Sequence, residues 1–313
     1  MSIHYIIKSN IQLIILVAIF GALAACNVED TKEEASTTTL SFSGSVGDGP
    51  ITQAQISVTD ANGTVVAKTV SDITANYSVS ISGDISYPLL VTATGGTDVV
   101  TSAKPDFVLL SVAMNSTLKT ININPFSTLI VKTAQAMHGG LTPLNLSVAN
   151  KYILEKLNFG LDPTLVPNPI TTTIDAANVA VVIKASEALG ETIRRIRSAL
   201  LIGGMDLTED QIIDIIAEDM IDSVLDGRGP SDNIRIAATA HIVSAQVLVE
   251  ALANQLYVSG ADATTRMNTA INLSMPSANT TTADVLITEG MLTQTRLAVA
   301  ATQALNSSSN LVA

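Results

Sequence analysis

The only cysteine in the chain, Cys26, follows the small and apolar residues Leu23-Ala24-Ala25. A thiolate is a strong soft nucleophile, so a lone thiol here could be a site of covalent modification. Small side chains before it leave the backbone open to a protease. Because there is no second cysteine, an intrachain disulfide cannot form, and the thiol needs another explanation.

The residues before Cys26 are arranged like an export signal. Lys8 lies in a short polar region, residues 11–22 form an apolar run, and small residues follow. The apolar run is shorter than the roughly 20 residues of a membrane span. We therefore predict that residues 1–25 are a signal peptide and that the polar residues 26–38 are the modified cysteine and a flexible tether.

The stretch Leu23-Ala24-Ala25-Cys26 resembles the lipobox of bacterial lipoproteins at all four positions. The resemblance implies that Cys26 carries a diacylglycerol, that cleavage follows Ala25, and that the freed amine is acylated. Two acyl chains suffice for stable anchoring. Asn27 resembles the outer-membrane sorting pattern, which implies a lipid anchor in the outer membrane and leaves open which face the protein occupies. The alternative is an ordinary secretory signal followed by an unmodified thiol.

The composition excludes some partners. The chain has 16 Lys and Arg against 28 Asp and Glu, a net charge of −12, so it lacks the basic surface that nucleic acid binding needs. Aromatic residues make up 3% of the chain and tryptophan is absent, which argues against an aromatic sugar-binding platform.

Residues 39–124 have the pattern of a β domain. Apolar and polar residues alternate with a period of two between turn signals such as Gly47-Asp48-Gly49-Pro50. We predict seven short strands in an all-β antiparallel sandwich. The predicted strands are residues 40–44, 54–58, 65–70, 76–81, 89–94, 106–112 and 116–123.

Several short sequence motifs follow one another between residues 44 and 77. They are Gly44-Ser45-Val46, Ala54-Gln55-Ile56-Ser57-Val58, Asp60-Ala61-Asn62-Gly63, Asp72 and Tyr77. Together they resemble the carboxypeptidase regulatory-like, transthyretin (prealbumin)-like sandwich over residues 40–94. That family usually has glycine shortly before the aromatic residue, where this chain has Ala75-Asn76. The resemblance implies a fold without catalytic residues of its own.

From residue 125 to 313 the apolar pattern becomes helical, which predicts an all-α domain of about seven helices. The helix over residues 208–226 has a capping box, Thr208 with Gln211, and Gly227 in the position of a C-terminal cap. The other predicted helices are 126–137, 146–157, 174–201, 233–258, 261–273 and 282–305.

Two sets of charged residues are candidate sites. Asp48, Asp60, Asp72 and Asp84 recur every twelve residues. Alternate turns of an antiparallel sheet lie at the same end, which groups Asp48 with Asp72 as a possible cation site and Asp60 with Asp84. No EF-hand pattern accompanies them, and a regular strand-plus-turn length explains the same spacing.

The second set, Arg194, Arg195 and Arg197, lies near the end of a predicted helix, where positive charge is favourable. These residues could bind an anion such as a lipid headgroup. Alternatively, they could pair with acidic residues near the start of the next helix.

Motifs for catalysis are nearly absent. The sequence has no phosphate loop, dinucleotide fingerprint, Gly-x-Ser-x-Gly or HExxH motif, and beyond residue 25 it has two histidines, His138 and His241. No cofactor or metal site is assigned. We predict a lipid-anchored lipoprotein that acts without catalysis as a binding, envelope-organising or adhesion module. Its partners would be the membrane and an envelope protein. The alternatives are an envelope hydrolase with a site in the helical domain and a carrier of an apolar ligand.

Overall fold

The computed structural model describes residues 39–278, which all belong to one compact unit. The predicted signal peptide, the lipobox with Cys26, the tether to residue 38 and the predicted helix 282–305 lie outside the described residues. Antiparallel strands come first and six α-helices follow in the described part, as the sequence predicts.

The elements have the following bounds. The strands are β1 (Thr39–Ser45), β2 (Ile51–Thr52), β3 (Gln55–Thr59), β4 (Val65–Val70), β5 (Asn76–Ser82), β6 (Leu89–Thr94), β7 (Thr97–Asp98), β8 (Leu109–Ala113), β9 (Tyr257–Val258) and β10 (Ala261–Asp262). The helices are α1 (Pro125–Ala136), α2 (Pro143–Lys156), α3 (Val179–Ile202), α4 (Glu209–Asp219), α5 (Ile234–Leu252) and α6 (Thr264–Ser274).

The strands before α1 form a four-stranded antiparallel sheet in the order β4-β3-β6-β8 and an antiparallel pair, β1 with β5. Alternation explains their packing, since Tyr77, Val79 and Ile81 on β5 are buried while the residues between them are exposed. The β3–β4 turn is the predicted one: Asp60 Oδ1 accepts hydrogen bonds from the amides of Asn62 and Thr64. The predicted bounds of β4 and β6 are confirmed.

The prediction of a strand over residues 116–123 is wrong. This segment makes two isolated parallel bridges and no ladder: Thr120 pairs with Ser43 in β1, and Ile123 pairs with Val46 just after β1. The amides of Ile121 and Ile123 donate to the carbonyls of Ser43 and Ser45, but other polar groups of the segment have partners outside β1. The Asn122 amide group donates to the carbonyl of Thr172 at 2.7 Å, and the Tyr77 hydroxyl donates to the carbonyl of Ile121 at 2.6 Å. Side chains therefore satisfy groups that a sheet would have paired.

Helix starts follow local capping rules. At α1, Asn124 Oδ1 accepts from the Ser127 amide at 2.8 Å, and the Ser127 hydroxyl oxygen accepts from the Asn124 amide at 2.8 Å. The predicted capping box of Thr208 and Gln211 is confirmed at α4. Both helices therefore begin where a short polar side chain satisfies a free amide.

The predicted end of α4 at Gly227 is wrong. The helix ends at Asp219 and continues as a short 3-10 helix to Asp222, after which Ser223 is left-handed, with φ 71°. The cause is the Asp219 carboxylate, which accepts from the amides of Gly227 at 2.8 Å and Gly229 at 3.0 Å. The carboxylate holds a loop at a place where the periodicity predicts two further helical turns.

Strands and helices share one hydrophobic core. Buried residues of the sheets, such as Val58, belong to the same cluster as Leu189 on α3 and Ile213 on α4. The predicted boundary at residue 124 therefore separates strands from helices within this core. Helix α1 packs against β8, α2 and α4, and α3 packs against α5.

One helix in the described part of the chain, α5, is long and apolar enough to cross a membrane by length and composition. Its residues Ala240, Val243 and Val247 are buried in the folded unit. A core helix of this kind passes the same test as a membrane span, so α5 carries no argument about location.

Candidate functional site

Three carboxylates meet inside the protein where the turn after β1 reaches the middle of α3. Asp48 and Asp98 are 2% exposed and Glu187 is fully buried. One oxygen from each of the three lies within 4.8 Å of the others. We call these three residues the acidic cluster. Buried acids are rare unless they are paired or bind a metal.

Two glycines allow the acidic cluster to form. A Cβ atom at Gly190 would lie 1.9 Å from Asp48 Oδ1, and one at Gly49 would lie 2.4 Å from Glu187 Oε1. Any other residue at either position would force the turn and α3 apart. Asp98 is oriented locally, since its carboxylate accepts from the Val100 amide at 2.7 Å and the Thr101 hydroxyl at 2.7 Å.

Arg194 is the positive charge that faces the acidic cluster. Its Nη1 donates to Asp48 Oδ2 at 2.6 Å, and its Nη2 lies 3.5 Å from Glu187 Oε2. Its Nε donates to Glu191 Oε2 at 2.9 Å. The guanidinium therefore holds the turn after β1 against α3 through charge-assisted hydrogen bonds.

One arginine does not compensate the whole cluster. Burial raises the pKa of Asp48 to about 7, although the charge of Arg194 opposes the shift. Burial and the charge of Asp48 raise the pKa of Glu187 well above its usual range, and burial raises the pKa of Asp98. Asp48 Oδ1 and Glu187 Oε1 are buried without a hydrogen-bond partner. The cluster thus contains buried carboxyl groups whose ionised forms are only partly stabilised by Arg194.

An open polar cleft of about 570 Å³ adjoins the outer side of Arg194. Its lining includes Asp106, Glu191, Arg195, Gln246, Glu250 and Tyr257. In the cleft Arg195 forms a bidentate pair with Glu250, with Nη–Oε distances of 2.8 and 2.7 Å, and Nη2 also donates to the Tyr257 carbonyl at 2.6 Å. This surface combines both charges and offers oriented groups to a polar ligand.

A small cavity of about 70 Å³ lies on the other side of Asp48. It is lined by Asp48 and Ser186 together with apolar residues such as Val179, Ile183 and Met275. The Ser186 hydroxyl is buried without a partner. The cavity is smaller than the roughly 300 Å³ at which ligand pockets begin, but it has room for water.

The two aspartates of the predicted cation pair have different surroundings. Asp48 lies in the acidic cluster, whereas Asp72 is exposed and accepts from the amides of Thr74 at 2.8 Å and Asn76 at 3.0 Å in its own turn. The partners of Asp48 are instead Asp98 and Glu187, which the spacing of aspartates does not indicate. A glutamate on the apolar face of a helix, three residues before a glycine, is the one sequence signal for Glu187.

All three predicted anion-binding arginines form ion pairs with carboxylates. Arg194 pairs with Asp48 and Arg195 with Glu250. Arg197 Nε lies 3.4 Å from Glu209 Oε1, which is the pairing expected with the start of the next helix. Because each guanidinium has an acidic partner, an anion would have to compete with a carboxylate.

Neither histidine lines the cleft or the acidic cluster. The His241 Nε2 atom lies 2.6 Å from the Leu225 carbonyl oxygen, and His138 is exposed just after α1. Among residues 39–278, no hydrogen bond joins a histidine side chain to a serine, threonine or carboxylate. Comparison of the chain with protein-family models, curated proteins and solved structures gives no match.

Proposed function

We propose that this protein is a lipoprotein anchored in the outer membrane through Cys26, and that its folded unit is a non-catalytic binding or envelope-organising module. The observation that carries the proposal is the Leu23-Ala24-Ala25-Cys26 stretch after an apolar run. The chemistry of a lone thiol behind small residues agrees with lipid attachment.

We further propose that the sheets before α1 form a transthyretin-like sandwich. The antiparallel pairing of β1 with β5 and the order β4-β3-β6-β8 support this assignment, as does burial of alternate residues in β3 and β5.

The polar cleft beside Arg195 is the surface we assign to binding. Its volume, its acidic and basic side chains, and the rigid Arg195–Glu250 pair suit a polar partner. A carrier of an apolar ligand has less support, because the cavity beside Asp48 is too small for a lipid chain. A hydrolase also has less support, since neither histidine reaches the cleft.

Mass spectrometry of the protein extracted from membranes tests the anchor. We expect an N-terminal triacylated Cys26 in the wild type, and we expect Cys26→Ser to carry no acyl chain. Asn27→Asp is the matched control for sorting, because it keeps the lipid and should change only which membrane holds the protein. An unmodified Cys26 in a soluble wild-type product would contradict the proposal.

Protease shaving of intact cells then locates the module. Loss of the region 39–278 would place the cleft on the cell surface, so that its partner should be sought outside the cell. Protection in intact cells with digestion after outer-membrane permeabilisation would place its partner in the periplasm. The proposed anchor requires a lipidated Cys26 in either case.

A further inference from the structure

We propose that the acidic cluster of Asp48, Asp98 and Glu187 binds one calcium ion. This site joins the turn after β1, the end of β7 and the middle of α3, which are remote in sequence. It differs from the pairing of Asp48 with Asp72 that the sequence suggests, and it does not depend on the lipid anchor.

The first observation is the spacing of the oxygens. One oxygen from each carboxylate lies within 4.8 Å of the other two. Ca²⁺ binds oxygen at about 2.3–2.6 Å, so two ligands on opposite sides of the ion are separated by about twice that distance. Three carboxylates at this spacing are therefore close enough to contact one ion.

The second, independent observation is that two carboxylate oxygens of the acidic cluster have no partner. Asp48 Oδ1 and Glu187 Oε1 make no hydrogen bond in the described structure, and both residues are at least nine-tenths buried. Burying a polar atom without a partner is unfavourable, most of all for a charged group. A cation between the two oxygens would satisfy both.

The balance of charges around the cluster also favours a bound cation. Arg194 is shared among Asp48, Glu187 and Glu191, while Arg195 is occupied by Glu191 and Glu250. Asp98 receives only neutral donors, from Val100 and Thr101. The carboxylates thus outnumber the two guanidinium groups, and a divalent cation would reduce the excess negative charge in a poorly solvated site.

The donor set selects calcium among common metals. The cluster offers carboxylate oxygens, with no histidine or cysteine in it, which disfavours zinc and copper. Ca²⁺ takes six to eight oxygens in flexible geometry and accepts bidentate carboxylates, whereas Mg²⁺ demands a near-ideal octahedron. Water in the cavity of about 70 Å³ beside Asp48 and Ser186 could complete the coordination.

A shared proton between Asp48 and Glu187 is the competing explanation, and Glu187→Gln separates it from calcium. Glutamine keeps the shape of a protonated glutamate but carries no charge to attract a cation. A shared proton predicts that this variant is at least as stable as wild type in every buffer. A calcium site predicts that it loses the response to calcium.

The experiment uses the full chain in detergent, purified without chelator for metal analysis and then treated with EDTA. We expect about one calcium per chain before chelation, and saturable calorimetric binding of CaCl₂ afterwards with a rise in Tm. Glu187→Gln should weaken calcium binding by about tenfold or more, because ligand charge sets calcium affinity. Glu155→Gln is the matched control, since its side chain is 52% exposed on α2, and it should bind calcium like wild type.

Three results would overturn the proposal. The first is that calcium does not change the Tm of wild type, and that Glu187→Gln is more stable than wild type by the same amount in EDTA and in calcium. The second is calcium binding that is unchanged in both Glu187→Gln and Asp98→Asn, because the ion would then bind elsewhere. The third is wild-type protein without calcium that also fails to bind it after chelation. If Glu187→Gln does not fold, Asp98→Asn and the wild-type metal content decide the question.

Discussion

Two neighbouring arginines on α3 have similar partners in very different surroundings. Arg194 points inward to Asp48 and Glu187, which are 2% and 0% exposed, while Arg195 points into the open cleft and pairs with Glu250. Successive residues on a helix differ by about 100° in direction, so one position separates the interior from the surface. Their removal should therefore have unequal consequences.

Glu191 connects the two arginines. Its Oε2 accepts from Arg194 and from the Ser259 amide, and its Oε1 accepts from Arg195. The protein interior screens the charges of Arg194 and its buried partners only weakly, whereas water reaches the Arg195–Glu250 pair. Burial, more than residue type, therefore sets how much each ion pair contributes to stability.

The largest effect is expected from Arg194→Met. The variant leaves buried carboxylates without their counter-charge, which should lower the free energy of unfolding by about 3–5 kcal/mol. Urea denaturation in EDTA measures it. Arg228→Met is the control, because that arginine is 81% exposed and its loss should cost less than about 0.5 kcal/mol. A similar small loss in both variants would refute the distinction between interior and surface.

Gly190→Ala tests the close approach of Asp48 to α3. Alanine normally favours a helix over glycine by about 0.5–1 kcal/mol. Here its Cβ would lie 1.9 Å from Asp48 Oδ1, so we expect a net loss of about 1–3 kcal/mol by urea denaturation. Ala199→Gly, at an exposed position of the same helix, measures helix propensity alone. Stabilisation by Gly190→Ala would show that the turn moves aside without cost.

Tyr77→Phe removes a buried neutral hydrogen bond, to the carbonyl of Ile121. We expect a loss of about 1–2 kcal/mol because that carbonyl is left unsatisfied. Burial also raises the pKa of Tyr77 above its usual value. The folded state therefore resists ionisation, and the stability due to Tyr77 is full below about pH 10 and lost as the pH rises through the folded pKa.

Denaturation of wild type and Tyr77→Phe at neutral and alkaline pH measures both the loss of the hydrogen bond and the pH dependence of stability. Wild type should lose stability above about pH 10 more steeply than the variant. Tyr257→Phe is the control, since Tyr257 is 46% exposed and its loss should leave stability within about 0.5 kcal/mol. Equal alkaline slopes in wild type and Tyr77→Phe would show that another group dominates.

Glu250→Gln should have a smaller effect than any change in the interior. The variant removes a charge from a partly exposed pair, and we expect a loss of about 0.5–1 kcal/mol at low salt. High salt should reduce the difference, because ions screen the Arg195–Glu250 attraction. Chemical denaturation across a salt series measures the change in the free energy of unfolding. A loss comparable with that of Arg194→Met would contradict the distinction between interior and surface ion pairs.

The smallest effect is expected at the exposed turn of Asp72. Slight burial raises its pKa, but hydrogen bonds from the Thr74 hydroxyl and the Asn76 and Thr74 amides outweigh burial and lower the pKa overall. A lowered folded pKa gives stability that is present above the unfolded value of about 4 and lost as the pH falls through the folded pKa. Asp72→Asn should therefore remove at most about 1 kcal/mol at neutral pH. Its penalty should shrink in acid, and a constant penalty would contradict the assignment.

Much of the local structure could be predicted from the chain. The alternation in β4 and β6 predicts their bounds, and the Asn62-Gly63 turn and the Thr208–Gln211 cap form as expected. These features depend on residues within a few positions of one another, so interactions between near neighbours in the sequence determine them. The anchor at Cys26 is likewise a local motif, and it stays a prediction because it lies outside the described residues.

The errors occur where distant groups compete with local preference. Residues 116–123 have strand periodicity and share backbone hydrogen bonds with β1, yet the Tyr77 hydroxyl takes the Ile121 carbonyl and interrupts the pairing. Helix α4 stops early because the Asp219 side chain binds the amides of a later loop. In both places a side-chain hydrogen bond replaces a backbone one, which periodicity does not encode.

The sequence by itself determined the order of strands and helices, the turns, the helix caps and the lipobox resemblance, because each depends on neighbouring residues. Only the tertiary structure decided which charges meet. Arg194 and Asp48 are 146 positions apart, and they meet because Gly49 and Gly190 let the turn after β1 reach α3. The low dielectric of the interior then makes that distant encounter, and the unsatisfied oxygens beside it, energetically important.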